Sequence, residues 1–136
     1  MTNQTITLTP AQAAFLDDRP GECVVCCMEE RFPNLSDEVL CGASEKIERF
    51  FGRDYCRKTY KETYKPTPIE VDQLNELERA TLLDYLEGST VCGQLWDSLH
   101  MDRNANLAYG RAKRTLLILV DKFRAAGLNV THIPDA

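Results

Sequence analysis

Apolar residues recur along this chain mostly at helical spacing. The clearest case lies near the C-terminus. There RAKRTLLILVDKFRAAG sets Leu116 to Val120 and Phe123 behind a basic start and ends on Gly127, a residue suited to a left-handed cap. The pattern predicts a long amphipathic helix from about Asn106 to Gly127. Ser36 followed by DEVLCGASEKIERFF puts acids in a first turn and repeats Leu40, Ala43, Ile47, Phe50 and Phe51 on one face, a second amphipathic helix. Thr9-Pro10 before AQAAFLDD reads as a cap with proline at the first helical position, where its missing N–H is not needed. Thr67-Pro68-Ile69-Glu70 has the same form. It predicts a helix over 68–87, with Leu74, Leu77, Leu82, Leu83 and Leu86 inward and Gly88 as its stop, and a further helix follows over 90–101 from Val91, Leu95, Trp96 and Leu99.

Other segments are less regular. ECVVCCM is apolar but too short for periodicity to separate a strand from a helical turn. The polar, aromatic stretch RDYCRKTYKETY runs into KPTP, where two prolines predict an internal linker. Asn129 to Ile133 alternates like a short strand. Together these elements predict a mainly α fold. It is a compact helical domain over 1–136, with at most one or two short strands, a cysteine-rich N-terminal part over 1–64 and a helix-turn-helix-like C-terminal part over 67–136.

Composition leaves this picture in place. With 136 residues, 43% hydrophobic and 27% charged, the chain suits one core, and no window approaches the roughly 18 apolar residues of a membrane span. The N-terminus lacks the basic start and apolar run of a secretory signal. The expected location is therefore cytoplasmic, with the six cysteines as thiols or metal ligands and the Asn-x-Ser/Thr triplets at Asn3, Asn34 and Asn129 without meaning.

Charge does add something. The net −5 divides into blocks: seven acids and two bases over 1–44, four and seven over 45–65, eight and one over 66–102, two and six over 103–136. A basic helix start thus sits inside an acidic protein. Arg103, Arg111, Lys113 and Arg114 are the candidate contacts to an anionic partner, either nucleic acid or an acidic protein face. Bases at a helix start oppose the helix dipole, a small cost that hints at use. The tyrosines at 55, 60 and 64, interleaved with Arg57, Lys58, Lys61 and Lys65, read as exposed side chains of a short helix rather than a base-stacking surface.

Cysteine spacing raises a second chemistry. Cys23 and Cys26 are separated as in a knuckle that turns two thiolates toward one zinc ion, and Cys41 and Cys56 complete a candidate metal set, with Cys27 adjacent. The remaining cysteines are single, and neither His100 nor His132 has a histidine at ligand spacing, so buried or free thiols without a cofactor are the preferred expectation. A redox pair would need a strand-helix setting that the pattern does not supply, and a thiolate enzyme would need a base that only His100 or His132 could provide.

The stretch LNELERATLLDYLEGSTVCGQLWDSLHMDRNANLAYGRAKRTLLILVDKFRAAGLNVTHI, residues 74–133, resembles the winged-helix output domain of OmpR-type response regulators. The shared pattern is a Leu-x-x-x-Glu first helix, a second helix near a tryptophan, a variable loop, and an Arg-rich third helix closing in an Ala/Gly turn and strand. The resemblance implies DNA binding, with Arg111, Lys113 and Arg114 on the reading helix and Arg103 on the loop before it. That family's wing hairpin has no counterpart before Ala136, and the helix is unusually apolar between Leu116 and Val120. The function expected from the sequence is accordingly a small non-enzymatic regulatory protein acting through binding to a protein partner or to DNA. The alternative is an adaptor or inhibitor, zinc-stabilised or not, that never touches nucleic acid, and a thiolate enzyme stands third.

Overall fold

A computed structural model of the protein describes residues 4–17, 24–56, 58–59, 61–100 and 104–134. The described chain runs β1 (Thr5–Ile6), α1 (Pro10–Leu16), α2 (Val24–Arg31), α3 (Asp37–Phe51), β2 (Arg53–Cys56), β3 (Lys61–Tyr64), β4 (Ile69–Glu70), a single 3-10 turn (Val71–Gln73), α4 (Glu76–Glu87), α5 (Ser89–His100) and α6 (Ala105–Ala125). The fold is mainly α, as the periodicity predicts. Its strands form two antiparallel pairs, β1 with β4 and β2 with β3. No described helix is long and apolar enough to cross a membrane.

The helix starts follow from their caps. Thr9 and Gln12 form a reciprocal capping box at α1, with Pro10 at the first position. The Ser36 side chain accepts from the Val39 N–H at α3, which carries Asp37 and Glu38 in its first turn and ends at Gly52 in a left-handed conformation. Of the segment ECVVCCM, ambiguous by pattern, Val24 to Met28 lie in α2, and Met28 is buried; Glu22 and Cys23 lie outside the described residues.

Two expected elements differ. The helix predicted from Thr67-Pro68 begins later, because Ile69 and Glu70 pair with Ile6 and Thr5 and so hold the chain extended. The true cap is Asn75: its side chain accepts from the Glu78 N–H at 2.8 Å, and Glu78 Oε1 accepts from the Asn75 N–H at 2.9 Å. Arg79 donates to the carbonyls of Leu74 (3.1 Å) and Val71 (3.0 Å), fixing the 3-10 turn against α4. The second difference is RDYCRKTYKETY, which is a hairpin with Arg53 opposite Tyr64 and Cys56 opposite Lys61. Gly52 N–H bonds back to α3 while Lys65 N–H reaches Gly52 O at 2.9 Å, so the hairpin folds directly onto the helix end. The short strand expected over Asn129 to Ile133 does not form: residues 128–134 join no ladder, and of its apolar residues Val130 is buried while Ile133 is 37% exposed.

One apolar cluster joins these pieces. It takes Ile6, Leu8 and Leu16 from the N-terminal segment, Leu40, Ile47, Phe50 and Phe51 from α3, Leu82, Tyr85 and Leu86 from α4, Leu95 from α5, and Leu116, Leu119, Val120 and Phe123 from α6. Phe51 meets Tyr85 edge to face at 4.9 Å. Each such side chain contributes about 1.5–3 kcal/mol by leaving water, so the cluster outweighs any single cap. α4 packs on α5, α5 on α6, and α1 touches both α5 and α6.

Candidate functional site

α6 begins at Ala105, so Arg111 and Arg114 lie beyond its first turn, where the dipole no longer penalises a cation. The inward side of this helix is Leu116, Leu119, Val120 and Phe123. Its other side, at i, i+4, i+7 and i+11, carries Leu107, Arg111, Arg114 and Ile118, with Leu117 alongside. Leu107 is 55% exposed, Leu117 44% and Ile118 43%, and both arginines are exposed. Neither guanidinium forms a hydrogen bond or ion pair with another described residue. The outward face of α6 thus combines unpaired positive charge with aliphatic surface. A lone exposed leucine is ordinary on any protein, but three aliphatics interleaved with two free arginines on one stripe form a contiguous amphiphilic surface.

Trp96, on α5, is a further apolar side chain at the surface, 51% exposed. Its ring stacks on His100 at 4.3 Å, and His100 Nδ1 lies 2.8 Å from the Trp96 carbonyl, which holds both rings in place.

The four basic residues singled out by sequence separate into three situations. Arg111 and Arg114 share the outward face. Lys113 turns aside and donates to the Pro134 carbonyl at 3.1 Å, helping to strap the C-terminal segment along the helix. Arg124 donates to Val130 O, and Glu87 Oε1 accepts from the N–H groups of Thr131 and His132, completing that strap. Arg103 lies outside the described residues.

Of the candidate zinc ligands, Cys23 also lies outside the described residues, and Cys26 in α2 and Cys56 in β2 are described by backbone alone. Cys41 is an exposed free thiol on α3, and Cys92 is a half-buried one on α5. Among the described residues, no group of three or more His, Cys, Asp or Glu side chains is placed to hold a metal ion.

The apolar half of the surface is hidden in the sequence, because Leu117 and Ile118 stand in one unbroken apolar run with their inward neighbours. The signal was present. An unbroken Leu116-Leu117-Ile118-Leu119-Val120 run on a helix covers more than half its circumference, so some of it has to face outward.

Over 83 residues, 58% of this chain, the sequence is 34% identical to unconventional myosin-XIX of Mus musculus. The chain covers 8% of the length of that relative. No family model matches the chain. No solved structure matches it.

Proposed function

We propose that this protein is a regulatory protein that acts by binding, and that it engages a protein partner through the outward face of α6. The observation that carries this reading is the stripe of Leu107, Arg111, Arg114, Leu117 and Ile118, exposed and without ion-pair partners. The fitting partner presents acidic side chains between apolar ones, as an amphipathic helix does when laid against another helix. Burying the aliphatics supplies affinity, and the arginines select the partner's charge and its register. The stretch shared with myosin-XIX is too small a part of that protein to bring its activity across.

A second reading keeps DNA as the partner. It is favoured by the succession α4, α5, α6, each packed on the next, and by two arginines on the outward side of the third helix, as the winged-helix resemblance implies. Against it stand Leu117 and Ile118, which would gain little from a phosphate-lined groove.

The deciding experiment is affinity capture from the native host. It compares wild type with an Arg111→Glu/Arg114→Glu variant and a Leu117→Ser/Ile118→Ser variant, alongside titration of a mixed-sequence duplex at low salt. Protein capture lost in both variants supports the proposal. Duplex binding that falls steeply with salt and is lost only in the charge variant supports the second reading. Capture and duplex binding both unchanged in the two variants would overturn both.

A further inference from the structure

A hollow of about 520 Å³ lies between α3 and the segment running from Thr67 through β4 to the 3-10 turn, away from the α6 face. Its volume falls within the range of small-molecule sites, about 300–1,000 Å³. Its apolar surface comes from exposed Pro68, above a floor formed by the edges of Ile69 and Leu74, which with Phe50 beneath them belong to the core. Its charged groups are Lys46 and Arg49, at i and i+3 on α3, and Glu70 on β4.

The two cations are in different states. Lys46 is held: its ammonium donates to Gln73 O at 3.3 Å and lies 3.6 Å from the buried Glu78 carboxylate. That contact fixes one positive charge at the wall. The Arg49 guanidinium forms no hydrogen bond or ion pair with a described residue, while its own backbone carbonyl accepts from Thr67 N–H at 3.3 Å and closes the two walls together. Every donor of a planar guanidinium fork is thus available at a site whose walls are pinned.

From this juxtaposition we infer that the hollow binds a small organic oxyanion, a phosphate monoester or a carboxylate with an apolar body. Arg49 takes two of the oxygens as a fork, Lys46, held by Glu78, donates from the wall, and the body lies on Pro68 and the edges of Ile69 and Leu74. Glu70 accepts from a hydroxyl or amine of the ligand and disfavours a second anionic group there.

Calorimetric titration and amide chemical-shift mapping with phenyl phosphate, benzoate and inorganic phosphate test this on wild type, Arg49→Gln and Arg114→Gln. At least one of the aromatic anions should bind saturably at one site, shift amides within 46–50 and 67–74, and bind more tightly than inorganic phosphate. Whichever aromatic anion binds better identifies the headgroup. Arg49→Gln should weaken it by about tenfold or more, the loss of a charge-assisted hydrogen-bonded pair, and Arg114→Gln should leave it unchanged. Absence of saturable binding by either aromatic anion would overturn the inference. So would equal affinity for inorganic phosphate, or an affinity indifferent to Arg49→Gln. Because no residue of the α6 stripe lines the hollow, none of these outcomes bears on the partner-binding proposal.

Discussion

Replacing Gly52 with alanine should destabilise the protein by about 3 kcal/mol. The residue ends α3 at φ +65°, a left-handed conformation that costs an L-residue roughly 1–2 kcal/mol. Space is the larger obstacle. A Cβ at this position would stand 2.0 Å from the Lys65 carbonyl oxygen and 2.4 Å from its carbon, both backbone atoms with no rotamer to retreat into. The chain around Lys65 has to move away, and the 2.9 Å bond from Lys65 N–H to Gly52 O stretches or breaks, adding about 1 kcal/mol. Urea unfolding followed by circular dichroism would read the loss as a lower midpoint at unchanged slope. Gly52→Asn separates the two causes, because asparagine tolerates the left-handed region but brings the same Cβ. The asparagine variant should remain within about 1 kcal/mol of the alanine one. If it returned close to wild type, the steric contact with Lys65 would be refuted and the cost would be one of dihedral angle alone.

Four further outcomes are expected. Asn75→Ala removes the α4 capping box and should cost about 1 kcal/mol in the same assay. Arg79→Met leaves the Leu74 carbonyl without its partner and the Val71 carbonyl with the Leu74 N–H alone, and should cost about 2 kcal/mol, with amide exchange accelerating in 71–75 before it does in α6. Gly110→Ala, on the exposed side of α6 with nothing within 4 Å of the added methyl, should raise stability by up to about 1 kcal/mol, measurable as a higher melting temperature. Cys41 should label with a maleimide under native conditions faster than half-buried Cys92, and Cys41→Ser should leave the melting temperature unchanged, both read by mass spectrometry and thermal denaturation.

Local signals made most of the helices legible. Thr9-Pro10, Ser36 and the inward faces of α3 and α6 could be read because a cap or a periodic stripe is complete within about fifteen residues. What could not be read depends on residues distant in the chain. Thr67-Pro68 carries the same local signature as Thr9-Pro10, yet Ile69 and Glu70 are drawn into a strand by Thr5 and Ile6, and the capping box at Asn75 then opens the helix instead. The β2–β3 hairpin lacks the Asn-Gly or Asp-Gly pair that marks most tight turns, so its polar, aromatic composition resembled a linker. On the candidate surface, Arg111 and Arg114 were found from charge clustering. Lys113 could not be distinguished from them, because its use is set by the position of Pro134. The hollow at Arg49 was out of reach altogether, since its walls meet only when α3 packs beside residues 67–74.

The basic residues of this acidic chain can be sorted by what they do in the fold. Arg31 pairs with Asp84, Arg53 with Asp17, and Lys46 with Gln73 O and Glu78. Arg79, Lys113, Lys122 and Arg124 all reach backbone carbonyls, and each ties a turn or a terminal segment to a helix. Long cationic side chains are costly to order, and these are ordered by bonds to carbonyls of turns and terminal segments, which offer acceptor capacity outside the long helices and ladders. Set against that use, the arginines at 49, 111 and 114 stand apart: their guanidinium groups form no hydrogen bond or ion pair with another described residue. Two share the α6 stripe with exposed aliphatics, and the third lines the hollow beside α3 and a neighbouring depression with Glu45, Glu48 and Asp54. A solvated arginine on a featureless surface would carry no message. Here each of the three sits beside apolar surface, the combination through which a charge selects a ligand while the hydrophobic effect holds it.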